Sequence, residues 1–312
     1  MAQHNISINN STESDYISNS TGSDYSHIWK VYNAQFPFIW VISVIEIPIM
    51  ILTLIALCFL IKSHRAASVF VSHLILSDLI QVICMLIAAA KTIWTWELKG
   101  AYCYSLIAGL YFMACVAFER YLLVSHPIWY KSHHSLKSSC FISLIIWFVP
   151  LIFAVIDPPY IDFYGLHYCI ACFIPYPLII LCFVGTCRGL SHSISLTSLK
   201  RKLILGSLFL VLMTYTFLIL PNVILEFIYT HFQSHFFLFN KELLLIKLLF
   251  HARLLLYVNP LADCLLYLFM RADVGDIMTS VHCCCRHQSS KHHQNEHAVR
   301  SHCNIKGIVH SK

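Results

Sequence analysis

The sequence predicts an all-α membrane protein, a bundle of seven transmembrane helices followed by a short amphipathic eighth helix. Hydrophobic residues make up 58% of the 312 residues and charged residues only 12%, a composition typical of a chain that lies in lipid. Seven apolar runs are each long enough, as helices, to cross about 30 Å of hydrocarbon. None of them alternates apolar and polar residues as a β-barrel strand does.

The seven runs define the domain organisation. They lie near 36–61, 66–90, 101–124, 138–156, 169–187, 203–229 and 243–270. In lipid each run must be helical, because every backbone amide needs a partner within its own segment. The predicted domains are an extracellular glycosylated N-terminus (1–35), the transmembrane bundle (36–270), a membrane-surface helix with a cysteine cluster (271–285) and a disordered cytosolic tail (286–312).

Basic residues gather on one side of the predicted membrane. The loops on the opposite side hold only Lys30, Lys91, Lys99 and Lys241. This asymmetry places the N-terminus outside and the C-terminus in the cytosol of a multi-pass plasma-membrane protein. Acceptor triplets for N-glycosylation agree with that orientation and lie at Asn5, Asn9, Asn10 and Asn19. The net charge of +6 therefore describes the cytosolic face and does not indicate nucleic-acid binding.

A charged doublet ends the third run, in the stretch AFERYLLVSHP. Glu119 and Arg120 lie where hydrocarbon meets the cytosol, and ions at such a boundary indicate function, the alternative being a snorkelling flank. ERYLLVSHP resembles the Glu/Asp-Arg-Tyr signature of rhodopsin-like (class A) G-protein-coupled receptors, and Pro127 follows Arg120 by seven residues. The resemblance implies a seven-helix receptor.

Motifs in the other runs extend the resemblance to all seven. LILSDL resembles the second-helix motif, and NPLADCLLY resembles the seventh-helix motif. The residues that stand in the family's places are Asp78, Trp147, Pro221, Asp263 and Tyr267. Cys264 departs from the pattern because it stands where the family carries proline.

The resemblance implies a receptor, not an enzyme, that activates heterotrimeric G proteins. Arg120, held near Glu119 at rest and followed by Tyr121, would receive the tail of the G protein when helix six swings outward. The basic residues that begin helix six are Lys200, Arg201 and Lys202. They are candidate contacts for the G protein, although a positive-inside anchor explains them equally well.

A buried polar pocket is predicted between helices two and seven. Asp78 lies about 18 Å along its helix, near mid-membrane, where a lone carboxylate is costly. Asn259, Asp263 and Tyr267 recur every four residues and share one face of helix seven. The resemblance implies a sodium ion at Asp78 and Asp263, and no other cofactor or metal. Proton uptake by the two carboxylates and a polar packing knot without an ion are the alternatives.

Basic residues near the outer ends of the spans predict a positively lined mouth. They are Lys91, Lys247, His251 and Arg253. Such a mouth favours an anionic small ligand, such as a lipid, a nucleotide or an acid, with protons as the alternative. For each residue alone, snorkelling to the interface is the competing explanation. The short third cytosolic loop and Asp263 also resemble the branch of the family that answers lipids, nucleotides, proteases or protons.

Most of the 14 cysteines lie inside the apolar runs, where they pack as small apolar groups. The resemblance implies a disulfide from Cys103 to the second extracellular loop, with Cys169 as its partner and Cys172 as the second choice. The cysteines after the surface helix are Cys283, Cys284 and Cys285. They are candidates for palmitoylation, which would add to contact with membrane lipids.

Several positions depart from the family. Only 17 positions separate Cys103 from Arg120, which predicts a third helix about two turns shorter than the family's. The second extracellular loop and the fifth helix together look trimmed as well. Met50, Gly185 and Ile219 replace the usual asparagine, tyrosine and tryptophan of helices one, five and six. A non-signalling or decoy seven-helix protein, or a truncated receptor isoform, is therefore the alternative to a signalling receptor.

Overall fold

The computed structural model describes residues 30, 32–62, 69–133, 135–156, 166–192, 198–237 and 242–267. Within these ranges the chain is helical apart from short turns and contains no strand. Seven helices there are long and apolar enough to cross a membrane, so the predicted fold is confirmed. The predicted glycosylation sites (Asn5, Asn9, Asn10, Asn19), the surface helix with Cys283, Cys284 and Cys285, and the tail all lie outside the described residues.

The spans are built from helices whose bounds differ from the predicted runs by a few residues. The helices are Gln35–Lys62, Val69–Lys91, Trp96–Ser125, Pro127–His133, Leu136–Ile156, Leu166–Phe173, Pro175–His192, Ser198–Thr214, Leu220–Phe237 and Glu242–Leu256, with a π-helix at Tyr215–Ile219. In chain order the spans are Gln35–Leu57, Val69–Lys91, Trp96–Ser125, Leu136–Phe153, Leu166–Leu190, Ile204–His231 and Leu244–Tyr267.

The third span lies at the centre of the bundle. It packs against the second, fourth, fifth and sixth spans, and its middle section is buried on nearly every face. The first and fourth spans instead expose apolar side chains such as Val44 and Leu144. An exposed apolar surface of this kind suits surrounding hydrocarbon, because lipid places no penalty on it. The third span is therefore the element through which the other spans are connected.

The third helix is not short, and the prediction of a trimmed helix is wrong. It begins at Trp96, where the Thr95 hydroxyl accepts a hydrogen bond from the Leu98 amide at 3.4 Å. It then runs 30 residues to Ser125. Its first turns contain charged residues, so a criterion based on hydropathy alone places the start of the helix too far along the chain. Cys103 lies two turns inside the helix and does not mark its outer end.

The fifth span is also of full length. It covers 25 residues, Leu166–Leu190, with a turn at Ile174. Pro175 follows that turn and has no amide hydrogen to donate, so it starts a second helical segment instead of continuing the first. The predicted trimming of this helix is wrong because the turn separates two helical pieces of one span.

Spans three and five meet at two glycines. A Cβ at Gly185 would lie 2.5 Å from Cε2 of Tyr121, and a Cβ at Gly189 would lie 2.7 Å from Oγ of Ser125. The Ser125 hydroxyl also donates to the Gly185 carbonyl at 3.5 Å. The ring of Tyr121 therefore fills the space that a side chain at position 185 would need. Position 185, where the resemblance predicts tyrosine, therefore holds glycine in a place that has no room for a larger side chain.

We expect Gly185→Ala to lower the unfolding temperature of the protein in lipid nanodiscs. The added methyl group overlaps the Tyr121 ring, and such overpacking costs roughly 1–3 kcal/mol, more than the helix propensity that alanine contributes, about 1 kcal/mol. Gly206→Ala is the matched control, because a Cβ at Gly206 meets no atom within 4 Å. Equal unfolding temperatures for the two variants would show that the Tyr121 ring moves aside freely.

Candidate functional site

The charged doublet at the inner end of the third span is buried. Glu119 and Arg120 are only 5% and 3% exposed, so neither side chain is a snorkelling flank. The Tyr130 hydroxyl, on the short helix Pro127–His133, donates to Oε1 of Glu119 at 2.7 Å. This hydrogen bond ties the short helix to the end of the span.

Tyr130 lies outside the membrane spans and stays a hydrogen-bond donor. Burial raises the pKa of Tyr130 well above its ordinary value, and the Glu119 carboxylate raises it further, while Arg120 lowers it. The phenol therefore keeps its proton at physiological pH. Because Arg120 acts on the Tyr130 hydroxyl electrostatically, the acid, the guanidinium and the phenol form one local group.

The other residues predicted for this end of the bundle lie on the third span and on the helix Ser198–Thr214. The half-buried ring of Tyr121 contacts Phe118 and His126. Lys200, Arg201 and Lys202 lie in the first two turns of the helix Ser198–Thr214. The side chain of Lys202 is exposed, and those of Lys200 and Arg201 lie outside the described part of the chain. Ile128, on the short helix, is 86% exposed and was not predicted.

A polar pocket is buried near the middle of the bundle, between the second and seventh spans. Asn259 Nδ2 donates to Asp263 Oδ2 at 3.2 Å, and Gln81 Nε2 donates to Asp78 Oδ1 at 3.2 Å. Asp78 and Asp263 lie close enough to interact electrostatically. The structure therefore brings Asp78, Asn259 and Asp263 together, with Tyr267 buried one turn further along the seventh span.

Glu46 of the first span also belongs to this pocket, and sequence reasoning missed it. Its carboxyl group interacts electrostatically with Asp78 and lies beside the main chain of Leu261. The signal was available, because Glu46 is the only acidic residue of the first span. Ionisable residues inside spans are rare and functional by default. Gln81, the partner of Asp78, was missed as well.

The oxygen atoms of this pocket fit a hard cation. Those without a hydrogen-bond partner, among the described residues, are both carboxylate oxygens of Glu46, Oδ2 of Asp78, Oε1 of Gln81 and Oδ1 of Asn259. Carboxylate and amide oxygens are the ligands that hard cations take. In the described part of the chain, no three His, Cys, Asp or Glu side chains stand close enough to hold one metal ion. The donors available to an ion here are therefore at most two acids together with amide oxygens.

An ion pair joins the sixth and seventh spans in the outer half of the bundle. Nη2 and Nε of Arg253 lie 2.6 and 3.1 Å from Oε1 of Glu226. Lys99 of the third span interacts electrostatically with both residues. Asn222, one turn inward from Glu226, is 1% exposed, and neither of its amide atoms has a hydrogen-bond partner within the described part of the chain. Charged and polar groups from three spans therefore meet here.

Of the four basic residues predicted for the mouth, only Arg253 joins this group. Lys91 is exposed at the end of the second helix. Lys247 and His251 lie on an exposed face of the seventh span that also carries three leucines. His251 Nδ1 hydrogen-bonds with the Lys247 carbonyl at 2.7 Å. The missed residues are Lys99, Asn222 and Glu226, of which Glu226 was recognisable as the only acid of the sixth span.

The implied bridge between Cys103 and Cys169 is not formed in the described part of the chain. Both residues are buried in the bundle, and Cys169 is a thiol. Cys172, the second choice, is also a buried thiol and interacts electrostatically with Cys103. The resemblance that implied the bridge places Cys103 next to the first extracellular loop, whereas the helix start at Trp96 places Cys103 two turns inside the third helix.

We expect Glu226→Gln to destabilise the protein by roughly 1–3 kcal/mol, because it leaves the Arg253 guanidinium without its carboxylate. The loss is smaller than for a fully buried pair, since the Arg253 side chain is 35% exposed. A double-mutant cycle with Arg253→Gln, followed by thermal unfolding, measures the coupling. Glu97→Gln, at an exposed acid, is the control. Additive effects of the two substitutions would contradict a stabilising pair.

Comparison with known proteins agrees with this architecture. The family model described as 7 transmembrane receptor (rhodopsin family) matches residues 50–164. Proto-oncogene Mas of Rattus norvegicus is 26% identical over 102 residues, which cover 29% of this chain and 31% of that protein. Two Mas-related receptors of Mus musculus are also similar. Mas-related G-protein coupled receptor member A6 is 25% identical over 139 residues (38% and 46% of the two chains), and member A4 is 27% identical over 117 residues (34% and 37%).

The matched segments therefore span about a third to a half of the relatives' own length. The matched family and both Mas-related proteins are receptors by description. The relatives are Mas and Mas-related proteins, and their names give no support to the lipid-, nucleotide- or proton-sensing branch. That narrower assignment stays a prediction.

Proposed function

We propose that this chain, a member of the rhodopsin family of seven-transmembrane receptors, couples an extracellular ligand to a heterotrimeric G protein. In this proposal it is a plasma-membrane protein with its N-terminus outside. The observation that carries the proposal is the buried group of Glu119, Arg120 and Tyr130 at the inner end of the central span. Burying ions at a membrane boundary is costly, and a signalling role accounts for that cost where simple anchoring does not.

The surface around this group suits a G protein. The exposed Ile128 supplies an apolar contact on one side and the exposed Lys202 a positive charge on another. A large apolar side chain left exposed outside the spans is typical of an interaction surface. In our proposal Arg120 leaves its buried position and receives the tail of the G protein when the sixth span moves outward.

The sixth span carries a feature suited to such a movement. Its helix widens into a π-helix at Tyr215–Ile219, and π-turns occur frequently at functional sites. The buried Tyr215 hydroxyl donates to the Cys172 carbonyl of the fifth span, and Tyr176 hydrogen-bonds Thr216 at 3.1 Å. Outward movement of the sixth span at this level breaks both bonds. The two tyrosines therefore hold the sixth span in the arrangement described above.

We propose an anionic small ligand for the outer group. Arg253 and Lys99 bring two positive charges to this group, beside the negative charge of Glu226. A carboxylate or phosphate near Lys99 and Arg253 is attracted by both of them. The Asn222 amide, one turn deeper and without a partner, offers a donor and an acceptor to the same ligand. The proposed ligand site does not include Lys91, Lys247 or His251, because their side chains lie on exposed faces of the helices.

We further propose that the mid-bundle pocket holds sodium between Asp78 and Asp263. The support is the donor set, with Asp78 Oδ2 and Asn259 Oδ1 both lacking a hydrogen-bond partner among the described residues. A bound cation supplies positive charge to a region where the described part of the chain places carboxyl groups and no basic side chain beside them.

Arg120→Ala should lower nucleotide exchange at least tenfold in a purified system of receptor nanodiscs and several G-protein classes. The substitution removes the guanidinium that receives the G-protein tail in our proposal. Agonists are first sought among acidic lipids, nucleotides and pH steps. Lys137→Ala, at an exposed basic residue outside the inner group, is the control and should leave exchange unchanged.

A non-signalling or decoy protein is the competing function. Gly185 and Ile219, which stand in place of the tyrosine and tryptophan that the resemblance implies, favour this alternative. It predicts no exchange in either the parent protein or Arg120→Ala under any of the tested ligands. Responses to cationic amines alone would leave coupling intact and overturn the anionic ligand.

Tyr215→Phe should raise ligand-independent exchange severalfold, because it removes a hydrogen bond that holds the sixth span against the fifth. Tyr104→Phe is the matched control. Tyr104 also donates across helices to a main-chain carbonyl, that of Trp147, but it joins the third and fourth spans. We expect the two variants to lose similar amounts of thermal stability. Only Tyr215→Phe should raise ligand-independent exchange. An equal rise in both variants would assign the effect to general loosening.

A further inference from the structure

We infer that Glu46 supplies a third carboxyl group to the mid-bundle pocket and, ionised in the presence of the cation, strengthens the binding of sodium. This inference rests on the sodium proposal above but not on G-protein coupling. The first span therefore takes part in cation binding together with the second and seventh spans.

Burial and missing partners at Glu46 carry the inference. The residue is 1% exposed, and neither carboxylate oxygen makes a hydrogen bond of good geometry to a described residue, although the Leu261 main chain lies close enough to act on the carboxyl group. A buried carboxylate of this kind is expensive to maintain unless positive charge lies close by. An apolar residue, which the rest of the first span supplies in abundance, would avoid that cost.

The groups that face Glu46 are acidic or neutral. On its own span, the Ser43 hydroxyl is buried without a partner. Asp78 on the second span interacts with it electrostatically. On the seventh span, Leu261 offers its main chain and the Cys264 thiol interacts with Glu46, Asp78 and Asp263 alike. None of the interactions recorded for the three acids in the described part of the chain involves a basic side chain.

Glu46 acts on the cation as a nearby charge and not as a direct ligand. No three acidic side chains in the described ranges stand close enough to hold one metal ion, so Asp78 and Asp263 hold the ion while Glu46 faces it from further away. A unit charge about 10 Å away in a partly polarisable interior changes the affinity of a monovalent cation on the order of tenfold.

Thermal unfolding of the full chain in nanodiscs, without a G protein, tests this inference. Sodium chloride replaces choline chloride at constant ionic strength, because a ligand that binds only the folded state raises stability as its concentration passes the dissociation constant. For Glu46→Gln the sodium midpoint should rise about tenfold. Asp263→Asn should abolish the response, and Glu97→Gln, at an exposed acid of the third span, should leave it unchanged.

Line broadening of the sodium NMR signal provides a second readout of the same affinity. Should Glu46→Gln fail to fold, Glu46→Met replaces it, since an apolar side chain of similar size removes both the charge and its burial cost. An unchanged sodium midpoint after loss of the Glu46 charge would overturn the inference. So would equal stabilisation of the parent protein by potassium or magnesium. Absence of any sodium response in the parent protein would overturn both this inference and the sodium proposal, while G-protein coupling would remain open to its own test.

Discussion

The cost of burying charge in hydrocarbon determines where function is located in this bundle. A chain with 12% charged residues has few ions to place, and water is absent from the interior of its spans. Each buried ion therefore needs a partner from a different element. Arg253 of the seventh span pairs with Glu226 of the sixth span, and Glu119 accepts a hydrogen bond from Tyr130 on the neighbouring short helix. The acids of the mid-bundle pocket face one another instead, and this exception is what marks the pocket as a cation site in our interpretation.

The three polar groups lie at different depths but are connected by packing. The third span contributes Lys99 to the outer group and Glu119 with Arg120 to the inner one, and it packs against the second span that carries Asp78. The sixth span contacts the third, the fifth and the seventh. In our proposal, a shift of the sixth span at one depth therefore displaces side chains at the other depths, because a close-packed interior has no empty space to absorb it. This arrangement is the physical basis of the proposed coupling between ligand and G protein.

The number of spans and their approximate positions were predictable, because seven long apolar runs leave little choice of structure in lipid. Helix ends were not, since the charged first turns of the third helix look like a loop and conceal Trp96 as its start. Motif spacing predicted that Asp78, Asn259 and Asp263 lie together. It did not predict Glu46 or Glu226, which lie outside the motifs. Each could have been noticed as the one acid of an otherwise apolar span, but these largely apolar spans give little periodicity from which to deduce that the acid faces inward. The four-residue spacing of Lys247 and His251 placed them on one face of the seventh span, but it could not show that this face is exposed.

The π-helix at Tyr215–Ile219 divides the sixth span into two sections that differ in phase. One additional residue in a helical turn rotates everything beyond it by about 100° around the axis. A position-by-position alignment with a relative whose sixth helix is uniformly α-helical is thus in register on one side of the wide turn only. Beyond it, each residue is compared with one that points in another direction. Residue equivalences have to be assigned separately for the section that carries Lys202 and for the section that carries Glu226.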